Sequence, residues 1–134
     1  MAREVALSGH PAKAPCALIA TGETAVRIAG ETHGSGGANQ ELAAGACLDL
    51  ASTDPIAVCA LDTDGSDGPG VIAGALTDGT TAARAAAAGI DLHAALVAHD
   101  ISRALSAAED IVVTGPTGTN VNDLVVIVVL PMAP

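Results

Sequence analysis

Not one phenylalanine, tyrosine or tryptophan occurs in the 134 residues. Aromatic rings supply the largest single burials in most cores, so a core here must be built from Ala, Val, Leu and Ile. Side chains that small bring helices and sheet close together. The same absence leaves no ring to stack on a nucleobase or on nicotinamide. Phosphates, sugars and other small polar groups remain as ligands.

A chain of this length fits one domain with one core. The opening "MAREVALSGH" has no apolar run of signal-peptide length, and the longest apolar run, 124–130, is far too short to span a bilayer. A soluble cytoplasmic protein with no membrane contact is the expectation. Fifteen acidic against five basic residues give a formal net charge of −10, which repels nucleic-acid backbones and anionic membranes. The acidic surplus suits either a surface adapted to high salt or simply a soluble acidic domain. Cys16, Cys47 and Cys59 are odd in number, lie in apolar runs and lack C-x-x-C spacing, the pattern of buried free thiols rather than of disulfides or zinc ligands.

Strand and helix patterns alternate along the chain. "CALIAT" (16–21) and "TAVRIAG" (24–30) read as strands joined at Gly22 and Glu23, a two-residue connection that predicts a hairpin. The segment 38–52 reads as a helix with Leu42, Ala46 and Leu50 along one face, ended by Asp54 and Pro55. "IAVCALD" (56–62) is apolar on both parities, as in a strand covered on both faces. The segment 80–89 is helical, with Thr80 at its start and Gly89 at its stop. "DLHAALVAHD" and "SRALSAAED" add two short helices, and "DIVVTG" and "LVVIVVL" return to strand. The fold class is α/β: a single three-layer domain with a mixed β-sheet covered by helices.

Polar, glycine-rich segments abut these apolar elements at 21–24, 34–41, 62–70 and 114–123. Each alone is explained by ordinary turn propensity. Together, with three directly following a candidate strand, they point to one ligand site at a sheet rim, where glycine lets backbone amides approach an anion. None matches a familiar phosphate motif. "GPTGTN" lacks the Gly-Lys-Ser/Thr end of a P-loop, and "GSGGAN" lacks the third glycine of a dinucleotide fingerprint. "DTDGSDG" opens like a calcium loop, but its sixth and twelfth places hold Asp67 and Ala73 rather than Gly and Glu. Asp64 and Asp67 keep a magnesium site open, since that ion often binds through one or two carboxylates plus substrate phosphate. The histidines at 10, 33, 93 and 99 have no H-x-x-x-H spacing, and no Ser-His-Asp set stands out.

The ordered set "TGET", "GGANQE", "DTDGSDGP", "AGA" and "TGPTGTNVNDL" strongly resembles the MOFRL domain, the C-terminal domain of glycerate 2-kinases, which are often labelled hydroxypyruvate reductases. The resemblance covers about residues 16–130, and its last motif is the most specific. It implies a domain facing a larger nucleotide-binding domain, absent from this chain, across a cleft. It further implies ATP- and Mg²⁺-dependent transfer of a phosphoryl group to the 2-hydroxyl of D-glycerate, with ATP held mainly by the larger domain. Carried over by position, Glu23, Asn39, Gln40, Glu41, Thr117, Thr119, Asn120, Asn122 and Asp123 line or brace the substrate and phosphate cleft, and Asp64 and Asp67 are the magnesium positions. The family's usual arginine is replaced by Ala38, so no catalytic residue is assigned. Its Gly-Pro-Thr-Asp-Ala-Ala-Gly becomes 68–74 here, and its Asn-Asp-Ser-Tyr becomes 99–102.

Three readings follow: a half-enzyme that works with a larger domain, a non-catalytic binder of a small hydroxy acid, or a structural module that pairs with itself. NAD(P)H-dependent hydroxypyruvate reduction is the alternative enzyme reading.

Overall fold

The computed structural model describes residues 1–28, 33–50, 52 and 54–132. In chain order the elements are α1 (Ala2–Ser8), β1 (Cys16–Gly22), α2 (Ala38–Leu48), β2 (Ile56–Asp62), β3 (Gly74–Asp78), α3 (Thr81–Ala87), α4 (Leu92–Val97), α5 (Ile101–Ala107), β4 (Ile111–Val112) and β5 (Asp123–Val129). The strands form one sheet in the order β1-β5-β2-β3-β4. An α/β domain is therefore present as expected. Every described pairing is antiparallel, however, so the sheet is not mixed.

The most apolar strand sits where it is flanked on both edges. β5 pairs along its full length with β1 on one side and β2 on the other, Val126 facing Ile19 and Cys59. This replaces the expected hairpin. Residues 24–28 form no strand, and 29–30 lie outside the described residues. The long apolar strand outcompetes the neighbouring segment as a partner for β1, and the Thr24 amide goes instead to the Asp123 carboxylate.

Side-chain parity divides the sheet. Leu18, Val125, Ile127, Val129, Ile56, Val58, Ala60 and Ala75 share the face that packs against helices. There Ala43, Ala44, Ala60, Ala75, Ala85 and Ala104 are fully buried, with Ile101 and Leu105 as the largest aliphatic side chains of the α5 contact. The alanines let α2 lie close enough for Thr77 Oγ1 on β3 to donate to the Ala43 carbonyl at 2.8 Å. Val5 of α1 closes the second cluster with Ile56, Val58 and Val129. The other parity has no helix against it among the described residues, so the expected cover on both faces is absent. Ile19 and Leu76 there are 69% and 51% exposed.

Local stops follow the sequence closely. Gly89 adopts φ 77° beyond α3, and Asp91 caps α4 by accepting from the Ala94 amide at 2.9 Å. Thr80 occupies the N-cap of α3 but spends its hydroxyl on Asp78 at 2.6 Å. Helix α2 ends at Leu48, four residues before the expected boundary. Only Cys47 of the three free thiols is buried, and burial pushes it up to about 11.

Candidate functional site

Antiparallel register brings the ends of three strands and the starts of two others to one rim. Gly22, Asp62 and Val112 end β1, β2 and β4 beside Asp123 and Gly74, which begin β5 and β3. The described residues of three segments, 23–28 with 33–37, 63–73 and 113–122, lie at this rim, so the polar stretches expected to meet do meet.

Two of them are stitched into a single loop pair. The Thr63 amide and hydroxyl both donate to the Asn122 carbonyl, at 3.2 and 2.7 Å. Thr117 Oγ1 donates to the Thr63 carbonyl at 2.5 Å, and the Thr117 amide donates to the Asp64 carbonyl at 3.2 Å. Asn120 Nδ2 donates to Asp64 Oδ2 at 3.1 Å while Asp64 Oδ1 accepts from the Ser66 amide at 2.9 Å. Asn120 also turns its own loop, its side-chain oxygen accepting from the Asn122 amide, with Asn122 at φ 66°. Thr119 contributes its carbonyl to Thr117. Beside this pair lies a cavity of about 280 Å³ lined by Asp64, Gly65, Ser66, Gly70, Val71, Gly115 and Pro116. Gly65 has φ 98°, and a Cβ there would lie 2.2 Å from the Gly115 carbonyl oxygen. The close approach of the two loops thus requires glycine.

Behind the loops is a buried polar brace. Asp67, 6% exposed, caps α2: Oδ1 accepts from the Asn39 amide at 3.0 Å and Asn39 Nδ2 at 3.3 Å, and Oδ2 accepts from the Gln40 amide at 2.8 Å and Gln40 Nε2 at 3.2 Å. Four donors fill the roughly four acceptor positions of a carboxylate. Asn39 and Gln40 are each 1% exposed. Asn39 Nδ2 reaches on to Asp123 Oδ1 at 2.8 Å, and Gln40 Oε1 accepts from the Ser102 hydroxyl at 2.7 Å. The Asn39 side-chain oxygen is buried with no hydrogen-bond partner among the described residues. Burial alone would raise the Asp123 carboxyl, but the Asn39 and Thr24 donors outweigh it and hold it below the usual value. Gly37 is fixed by this brace, because a Cβ would sit 2.2 Å from the Asp67 carbonyl oxygen.

The sequence-derived residues therefore divide. Asp64, Thr117, Thr119, Asn120 and Asn122 form the rim loops. Asn39, Gln40, Asp67 and Asp123 form the brace. Glu23 is exposed just beyond β1. Glu41 faces elsewhere, its Oε1 lying 2.8 Å from His99 Nδ1, where the carboxylate accepts from the ring N–H. That pair borders a second cavity of about 210 Å³ with Val26, Ile28, Ala38 and His33. His99 was invisible to spacing rules because it lies 58 residues from Glu41. Arg27, the one Lys or Arg in the three rim segments, was hidden by the hairpin reading; it is exposed.

The two carboxylates carried over as magnesium positions are not equivalent. Asp67 is saturated by α2, leaving Asp64 as the available carboxylate of the pair. No group of three His, Cys, Asp or Glu among the described residues could hold a metal ion. Nor is any described helix long and apolar enough to cross a membrane.

The MOFRL family model matches residues 16–123. The chain is 44% identical over 124 residues to a D-glycerate 2-kinase of Thermotoga maritima and 42% identical over 127 residues to a glycerate 2-kinase of Pyrococcus horikoshii. These alignments take in 92% and 95% of this chain but 29% and 28% of the relatives. The crystal structure of glycerate kinase from Thermotoga maritima superposes with a TM-score of 0.90 at 42% identity, over 96% of this chain and 31% of that one. The chain thus spans less than a third of the relatives it matches, and it corresponds to their C-terminal part.

Proposed function

The chain belongs to the MOFRL family, and from that premise we propose that it supplies the substrate-side rim of a glycerate 2-kinase whose larger part binds ATP. The observation that carries this reading is the Asp64–Asn120 loop pair, drawn together at the rim by Thr63, Thr117 and the close approach at Gly65 while the buried brace fixes its base. Phosphoryl transfer asks a protein mainly for positioning and for charge stabilisation. The rim loops offer the first in abundance: a carboxylate, an amide, hydroxyls and glycine-exposed backbone, suited to the hydroxyls of a small hydroxy acid. Asp64, oriented by Ser66 and Asn120, is the group placed to accept a hydrogen bond from the hydroxyl that is phosphorylated.

Charge stabilisation comes largely from elsewhere. The 63–73 and 113–122 segments contain no lysine or arginine, and Ala38 stands where a guanidinium is usual. Arg27 is the cation this chain brings to the rim, and the phosphates are held by the larger part. Turnover by the isolated chain is therefore not expected. Hydroxypyruvate reduction finds no dinucleotide fingerprint and no ring to meet nicotinamide.

Calorimetric titration of D-glycerate tests the placement. The protein used is a fusion in which this chain replaces the C-terminal part of the Thermotoga maritima relative. Binding should weaken at least tenfold with Asp64→Ala and with Asn120→Ala while the unfolding transition persists. Unchanged affinity in both variants would remove these loops from the site.

A further inference from the structure

The helix-free face of the sheet has a composition at odds with exposure to water. Register arranges it in rows across the strands: Ala17, Val128 and Ala57; then Ile19, Val126, Cys59 and Leu76; then Leu124, Leu61, Gly74 and Val112 beside Thr21. Asp78 is the one charged side chain in the paired positions of this face, at its corner. The middle row is apolar from edge to edge. Ile19, Leu76 and Val128 are 69%, 51% and 38% exposed. Antiparallel sheets that face water on one side alternate apolar with polar residues. β5, reading Leu-Val-Val-Ile-Val-Val after Asp123, does not alternate.

Strand spacing and the two-residue repeat give this face an in-plane area on the order of 400 Å². A continuous apolar patch of that size matches the largest that a soluble domain ordinarily exposes, and such a patch is often functional. Its size also selects the occupant. Two copies meeting here would bury roughly 800 Å² in total, the range of adventitious contacts rather than of stable dimers. Each copy would also bring a net charge of −10 against the other. A small neutral face suits an occupant that is tethered, because linkage supplies the effective concentration that area does not.

We infer that this face seats apolar helices from the larger part of the same enzyme, making the sheet the middle layer of a three-layer body. The inference rests on the two-part reading above. Relatives of which this chain spans 28–31% carry more than twice its length in addition. Ala17, Ala57 and Gly74 leave the surface low around the middle row, so the helices that fit present small and branched apolar residues along one stripe.

Cys59 lies in the centre of this face, whereas Cys47 is buried under α2. Alkylation by a small maleimide, read cysteine by cysteine in digested peptides, should label Cys59 in the isolated chain and at least tenfold more slowly in the fusion with the Thermotoga maritima large part. Ile19→Glu and Leu76→Glu should leave the unfolding midpoint of the isolated chain unchanged and restore Cys59 labelling in the fusion. Equal labelling in chain and fusion overturns the inference. Protection that appears in the isolated chain as its concentration rises, with dimers in sedimentation, also overturns it in favour of a second copy. Turnover of the same fusion reports the kinase reading separately: a protected but inactive fusion supports the docking and counts against the activity, and an active but unprotected one does the reverse.

Discussion

Replacing Asp67 with alanine should cost this domain a large part of its stability. The carboxylate takes four N–H donors, two of them the Asn39 and Gln40 amides that begin α2, in a setting where Asp67 is 6% and both partners 1% exposed. Loss of a cap costs about 1 kcal/mol. A buried donor left without a partner costs about 1–3 kcal/mol. Water entering the space left by the carboxylate recovers some of this, and the sum is about 3–5 kcal/mol against a total stability of roughly 5–15 kcal/mol. Asparagine keeps one acceptor oxygen and should cost about half as much.

With no tryptophan or tyrosine to report by fluorescence, the assay is urea unfolding followed by circular dichroism at the helix band. At a slope of about 2 kcal/mol per molar urea, Asp67→Ala should lower the midpoint by about 2 M with the slope unchanged. A loss below about 1 kcal/mol for the alanine variant would refute the reasoning, because the four hydrogen bonds would then not be what holds this loop to α2.

Arg84 grips Asp110 with two bonds from Nη2, at 2.5 and 2.6 Å, and donates from Nε to the Ala108 carbonyl. Arg84→Lys should therefore cost about 1–2 kcal/mol in the same urea assay, since an ammonium cannot reproduce the fork, and an unchanged midpoint would contradict this. Asp123 titrates below its ordinary value in the folded chain, so its contribution is full above the unfolded value and is lost as pH falls through the folded one. Unfolding free energy measured from about pH 5 to pH 2 should fall less steeply in Asp123→Asn than in the parent; parallel curves would count against the brace. Gly37→Ala should destabilise by more than about 2 kcal/mol in thermal unfolding, given the 2.2 Å approach of its Cβ to the Asp67 carbonyl oxygen. A neutral result would mean the loop relaxes freely.

What the sequence disclosed, and what it hid, follows from the range of the interactions involved. β2 and β5 announced themselves because both parities are apolar, and Gly89 marked the end of α3 because only a local left-handed turn was at stake. β3 went unnoticed: five residues beginning at Gly74 and ending at Asp78 carry little strand signal, and Thr77 is buried only because Ala43 accepts its hydroxyl. α1 was hidden in a segment with no evident amphipathic run, its helix anchored by Val5 alone among its buried residues. Gly22 and Glu23 mimic a hairpin turn, and only the 99-residue reach from Thr24 to Asp123 shows that β1 turns away. Strand direction was illegible for the same reason, as each pairing of β5 is set by distant partners.

At the site, clustering of the polar loops was legible because each abuts a strand end. The role of Asp67 was not. Whether that carboxylate meets a metal or a helix depends on α2, which begins 29 positions earlier in the chain. Nothing in "DTDGSDG" distinguishes Asp64, which opens to the rim, from Asp67, which closes onto the brace.

The central claim is that this chain is one part of a glycerate 2-kinase and incomplete without the other. Its most direct test is ATP-dependent phosphorylation of D-glycerate, followed by formation of the phosphorylated product, for the isolated chain and for its fusion to the Thermotoga maritima large part. The account predicts turnover in the fusion, none in the isolated chain, and loss of turnover with Asp64→Ala. A folded fusion that binds ATP yet forms no product, beside an active parent enzyme, would contradict it.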